Sequence, residues 1–155
     1  TTTKGTFAMK PSEQVQALVA QMPDADDRGM YTKNIDAKKI NAAIDQLAGG
    51  GRNSLLGVID MLVPPGEGED YKARYALHCL AIHACKAADT RPRREFGEAL
   101  ASQLGGDRPV GVQIYLLEQL QVAAGREVAG KLRELLKHEQ LRVPAAMALE
   151  AMGVS

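Results

Sequence analysis

The densest set of reactive side chains is His78-Cys79 followed by His83 and Cys85, all inside the stretch from Glu69 to Lys86. Imidazole and thiolate are zinc ligands, and two of them one helical turn apart converge on a single ion. Cys79 and His83 have that spacing. His78 and Cys85 share a different face, turned from the first pair by more than a right angle at about 100° per residue. One helix therefore offers two converging ligands, and no second His/Cys pair elsewhere in the sequence completes a tetrahedral set. Packing is the expected role of these small thiols, and no metal or cofactor is expected. Six residues along a helix separate the cysteines by roughly 9 Å, beyond disulfide range, so both are expected as free thiols.

Other patterns invite a chemical reading and lose it on spacing. Gly49-Gly50-Gly51 could begin a phosphate-cradling loop, but such a loop follows a strand and ends in Lys-Ser or Lys-Thr. Here a helical pattern precedes the glycines and Arg52-Asn53-Ser54 follows, so they are read as a helix stop. Arg91, Arg93 and Arg94 cluster at a helix start, where cations oppose the dipole. Nucleic-acid binding through that patch is disfavoured, because acidic residues balance the basic ones and aromatics for stacking bases are few. No nucleophile motif, paired catalytic carboxylates or dinucleotide fingerprint stands out, so no catalytic residue is assigned. The polar residues that remain as candidates for a partner-binding surface are Lys72, Arg74, His78, Arg108, Gln113 and Gln119. Gln113 interrupts an apolar stripe, which suits either a bond to a neighbouring backbone group or an opening onto a binding face.

The elements that position these residues follow from apolar period. Apolar stripes at helical spacing (i, i+3, i+4, i+7 or i+8) run through Val15–Met22, Ile40–Leu47, Leu55–Leu62, Ala73–Leu80, Phe96–Leu104, Gln113–Leu120, Val128–Leu136 and Ala145–Met152. Asp36, Asn53 or Ser54, Asp70 and Asp107 are the expected N-caps, and Asp70 also stands four residues before Arg74, a supportive pairing. Pro23, Pro64-Pro65-Gly66 and Gly105-Gly106 are breaks. Asp24–Gly29 reads as a solvated loop. No stretch alternates with period two, so no strand is expected. Residues 1–11 read as a flexible leader, 12–153 as one domain and 154–155 as a tail.

The 155 residues suffice for one domain with a real core, and 45% hydrophobic with 25% charged residues is ordinary for a globular chain. The 19 basic and 19 acidic residues cancel, so no global field draws nucleic acid or a membrane surface. No apolar run reaches the roughly 20 residues that span a bilayer. Free thiols fit a reducing compartment and favour the cytoplasm. Export is the alternative if the missing initiator Met reflects removal of a signal peptide.

Equivalent stripe starts fall at Ile40, Ala73, Gln113 and Ala145, spacings of roughly 30–40 residues that each hold two helices and suit an α-solenoid. The clearest unit runs from Arg126–Leu136 through Leu141-Arg142 to Ala145–Leu149 and Gly153. It resembles a HEAT repeat, whose second helix opens with an aliphatic–Arg pair, continues through small residues and Ala-Leu, and closes on glycine. The Asp70–Leu80 unit is similar without the aliphatic–Arg pair. The resemblance implies an all-α, α-α superhelix of about four stacked helix pairs whose inner helices present a binding surface, usually for a protein. The expected function is a non-catalytic module for protein or peptide binding and scaffolding. The alternatives are a HEAT-like enzyme or cofactor-binding protein, such as a tetrapyrrole lyase or a metal-dependent hydroxylase, and a HEAT-like nucleic-acid binder. His138-Glu139 resembles one of the His-Glu pairs that hold iron in such hydroxylases, but those enzymes need several and this chain has one. Further repeats of a longer parent chain are also expected to be possible neighbours, which would leave apolar surface exposed at one end.

Overall fold

The apolar stripes are the buried faces of helices. The computed structural model describes residues 11–25, 31–33 and 35–153. Its helices are α1 (Pro11–Val19), α2 (Ala37–Gly49), α3 (Gly51–Asp60), α4 (Tyr71–Lys86), α5 (Arg91–Ala101), α6 (Val110–Val122), α7 (Ala129–Leu135) and α8 (Arg142–Ala151), with a 3-10 turn at Arg126–Val128 leading into α7. The chain is thus all-α in class. The leader before Pro11, the tail after Gly153 and the stretch Asp26–Met30 lie outside the described residues.

One expectation fails in the Asp24–Gly29 segment. Asp24–Ala25 (β1) pairs antiparallel with Tyr31–Lys33 (β2), so the segment is bracketed by a minimal ladder instead of being wholly loop. Strands of two and three residues are too short to show alternation.

Two compact units divide the chain. The first comprises residues through Leu62 together with Asp70–Leu80, and the second comprises Val63–Glu69 with Ala81 onward. In the first unit α1 packs on both α2 and α3, which also pack on each other. Val15, Leu18, Val19 and Met22 from α1 and its exit, Ile40, Ala43, Ile44 and Leu47 from α2, and Leu55, Val58 and Ile59 from α3 are all buried. Gly57 sets how near α1 comes to α3, since a Cβ there would lie 3.2 Å from Val15 Cγ2. Asp36 caps α2 as expected, its Oδ1 accepting from Lys39 N at 3.2 Å. The α2–α3 junction differs from expectation. Gly51 takes φ +59° and α3 starts there at once, with Gly50 at the cap position and no side-chain cap from Asn53 or Ser54. Ser54 lies buried inside the helix.

In the second unit α5 packs on α6 and α7 on α8. These two hairpins also meet like on like, α6 lying on α8 and α5 on the 3-10 turn that enters α7. Phe96, Ala99 and Leu100 of α5, Leu116, Leu117 and Leu120 of α6, Leu132 and Leu135 of α7, and Ala145, Ala148 and Leu149 of α8 fill the space between them. Ala145 and Ala148 are fully covered, and their small size lets α8 approach α6 and α7 closely.

Replacing Leu116 by Ala is expected to destabilise the chain by about 2–5 kcal/mol in urea titration, the range for a buried leucine that leaves a cavity. A loss below about 1 kcal/mol would mean that α6 is not packed as described.

Candidate binding cleft

The six polar candidates separate into different roles. Gln113 is 2% exposed, and its whole amide is used on backbone. Its Oε1 accepts from Gly105 N at 2.8 Å, while Nε2 donates to Arg108 O at 2.6 Å and Gly106 O at 3.3 Å. Those bonds hold the Gly105–Arg108 connection against the start of α6. Asp107 was the expected cap there, but α6 begins at Val110 with Pro109 at the cap position and no side-chain cap bond. Gln113 does the comparable work from inside the helix. Arg108 is half-buried with Nε donating to Gln103 Oε1 at 2.9 Å. Gln119 is buried in α6 and engaged within the fold.

In the first unit, Arg74 donates from Nε to Asp70 Oδ1 at 2.9 Å, the expected i, i+4 pair. His78 is exposed on α4. Lys72 does more. Its ammonium donates to Ala20 O at 3.0 Å and pairs with Asp24 Oδ1 at 2.9 Å. Ala20 directly follows α1, where helix carbonyls run out of partners and a cation is favoured. Lys72 thereby joins α4 to the exit of α1 and to β1. Both partners of the ion pair are 30% exposed, so its contribution is that of a surface pair, at most about 1 kcal/mol.

Lys72 also lines a cleft of about 410 Å³. One wall is Ala20, Gln21 and Met22, and the other is Ile35, Asp36 and Lys39 at the start of α2. Asp36 is committed to its cap and Lys72 to Asp24 and Ala20 O. Lys39 is exposed, and its ammonium has no partner among the described residues. Ile35 beside it is 60% exposed, a large apolar side chain left in water. The cleft therefore offers one uncommitted cation next to one apolar knob. Among the described residues its lining carries no hydroxyl, thiol or imidazole. Sequence reading singled out Lys72 but passed over Lys39 and Ile35, because both lie off the apolar stripe and carry no motif.

Among the described residues no group of three or more His, Cys, Asp and Glu side chains could hold a metal ion. Cys79 is half-buried and hydrogen-bonded to the Tyr75 hydroxyl one turn earlier. Burial pushes the Cys79 thiol up, and the Tyr75 bond offsets this only in part. Burial and then the neighbouring thiolate raise Tyr75 as well. A thiol held protonated in this way is a poor nucleophile and a poor ligand. Cys85 is exposed. His138 lies in the turn before α8, with Nδ1 accepting from Gln140 N at 3.2 Å. No described helix is long and apolar enough to cross a membrane. No protein-family model, curated protein or solved structure matches the chain.

Gln113→Ala is expected to cost about 1–3 kcal/mol, because Gly105 N and Arg108 O lose their partner at a part-buried site. A neutral result in urea titration would remove Gln113 from its internal role. In an iodoacetamide time course Cys85 is expected to label well ahead of Cys79. The folded Cys79 keeps its proton to higher pH than the unfolded thiol does. Its effect on stability is therefore nil below the ordinary thiol range near pH ~8.5 and unfavourable as the pH rises through it. A Cys79→Ala chain should lose part of that alkaline decline in urea midpoint.

Proposed function

We propose that the chain is a non-catalytic HEAT-like helical-repeat module that binds a protein or peptide, with the Lys39–Lys72 cleft as a contact for an acidic side chain flanked by an apolar one. The proposed architecture is an α-α superhelix of about four stacked helix pairs, of which α1–α2, α5–α6 and α7–α8 are helices in contact. The observation that carries this reading is the contact between alternate helices, α1 on α3 and α6 on α8. Such contacts arise when hairpins stack and share one apolar layer, since a single amphipathic hairpin cannot cover both of its faces. The resemblance of Arg126–Gly153 to a HEAT repeat falls on the α7–α8 hairpin, where the Leu141-Arg142 pair opens α8.

Binding, and not turnover, is supported by the polar residues themselves. The strongest candidates are fixed in ion pairs or backbone bonds that hold the scaffold in shape. A scaffold ordered in advance loses little entropy when a partner docks. Charge at Lys39 then supplies selectivity more than affinity.

Selection of displayed peptides on the full chain, followed by calorimetry on the winners, tests the cleft. Bound peptides are expected to pair an acidic with an aliphatic residue, and Lys39→Glu should weaken them by about tenfold or more. A glutamate at position 39 sits three residues after the Asp36 cap and suits the first helical turn, so lost binding would not reflect an unfolded α2. Winners without acidic residues, or equal affinity for the Lys39→Glu chain, would sink the assignment.

A further inference from the structure

The outer face of α8 carries two large apolar side chains that stand in water. Val143 is 66% and Met147 51% exposed, one turn apart, while Ala145, Ala148 and Leu149 on the opposite side are buried in the second unit. Ala146, Glu150 and Ala151 complete the exposed face. Two ridges of the i, i+4 kind run along it. One is Val143–Met147–Ala151 and the other Arg142–Ala146–Glu150. A face of this kind packs on another helix by setting ridge into groove.

Charge decides which helix it fits. The second ridge carries a cation at its N-terminal end, a small residue at its middle and an anion at its C-terminal end. Arg142 spends Nε on Leu136 O at 3.0 Å, which leaves the outer nitrogens of its fork for a carboxylate. Glu150 has no partner among the described residues. An antiparallel copy of the same ridge is complementary at both ends, with the two Ala146 residues meeting where the helices cross. We infer that α8 is the self-association face of this chain, pairing antiparallel with α8 of a second copy. Arg142 then faces Glu150 of the partner subunit, and Val143 and Met147 are withdrawn from water. A two-fold axis generates both ion pairs from one contact, as isologous interfaces require.

The interface is small. Ten residues of helix span about 15 Å, and one face of that length falls short of the roughly 800 Å² per partner of a stable complex. Pairing is therefore weak, with a dissociation constant on the order of 100 µM, and sensitive to salt.

Sedimentation of the full chain from about 10 µM to about 1 mM at low ionic strength tests this. The average mass should climb from 16.6 kDa toward twice that value. Arg142→Glu and Glu150→Arg should each weaken association by about tenfold, and the double reversal should restore it. Met147→Glu should abolish it, with circular dichroism unchanged in every variant. A chain that stays monomeric throughout the range overturns the inference and leaves the face to another occupant. A dimer indifferent to all four variants also overturns it, because association would then use another surface.

Discussion

Everything described in the second unit depends on α6 and α8 lying against each other. Neither hairpin, α5–α6 or α7–α8, could cover its own apolar side chains, and each is stable because the other closes it. The contact is apolar, with Leu116, Leu117 and Leu120 of α6 and the small residues Ala145 and Ala148 of α8 all buried. Small against large at that boundary is what permits near approach without a cavity. The relation of α1 to α3 in the first unit follows the same rule, with Gly57 giving way to Val15. Stability in such a chain comes from neighbour-on-neighbour layers. Polar residues such as Gln113 are then free to fix the connections.

The helices were legible in the sequence because burial on one side imposes a period that no other constraint on these segments disturbs. Ile40, Ala43, Ile44 and Leu47 are all buried, as are Ala73, Ala76, Leu77 and Leu80. The ends of helices were less legible, since several residues can satisfy the same free amides. Asp107 has the right chemistry to cap α6, yet Gln113 reaches back from within the helix and secures the connection that Asp107 was expected to open. Asn53 and Ser54 lose their capping role to a conformational fact, the left-handed Gly51 that starts α3 at once. A glycine triplet marks a stop, but its letters do not say how soon the next helix begins.

The cleft was legible only in half. Lys72 stood out as a charged residue on an otherwise crowded helix, but its partners Asp24 and Ala20 lie about fifty positions earlier and no local spacing announces them. Lys39 and Ile35 flank a cap and belong to no stripe, so nothing in their neighbourhood distinguishes them from ordinary solvated residues. Their meaning comes from what remains unpaired after folding, which is a property of the tertiary arrangement.

That distinction between spent and unspent groups separates structure from recognition here. Gln113, Arg74 and Lys72 are conspicuous in the sequence and are bound within the fold, where removing them would loosen connections. Lys39, Ile35, Val143, Met147 and Glu150 are inconspicuous in the sequence; among the described residues the two charges have no close partner and the three apolar side chains are more than half exposed. A charge that already has a close partner gains little from a second one, because its desolvation has been offset once. An unpaired lysine beside an exposed isoleucine, or an unpaired glutamate beside an exposed methionine, gains both terms when a complementary surface arrives. Among the described residues, Lys39 with Ile35 and Glu150 with Met147 are places where a charge without a close partner and a largely exposed apolar side chain lie near each other.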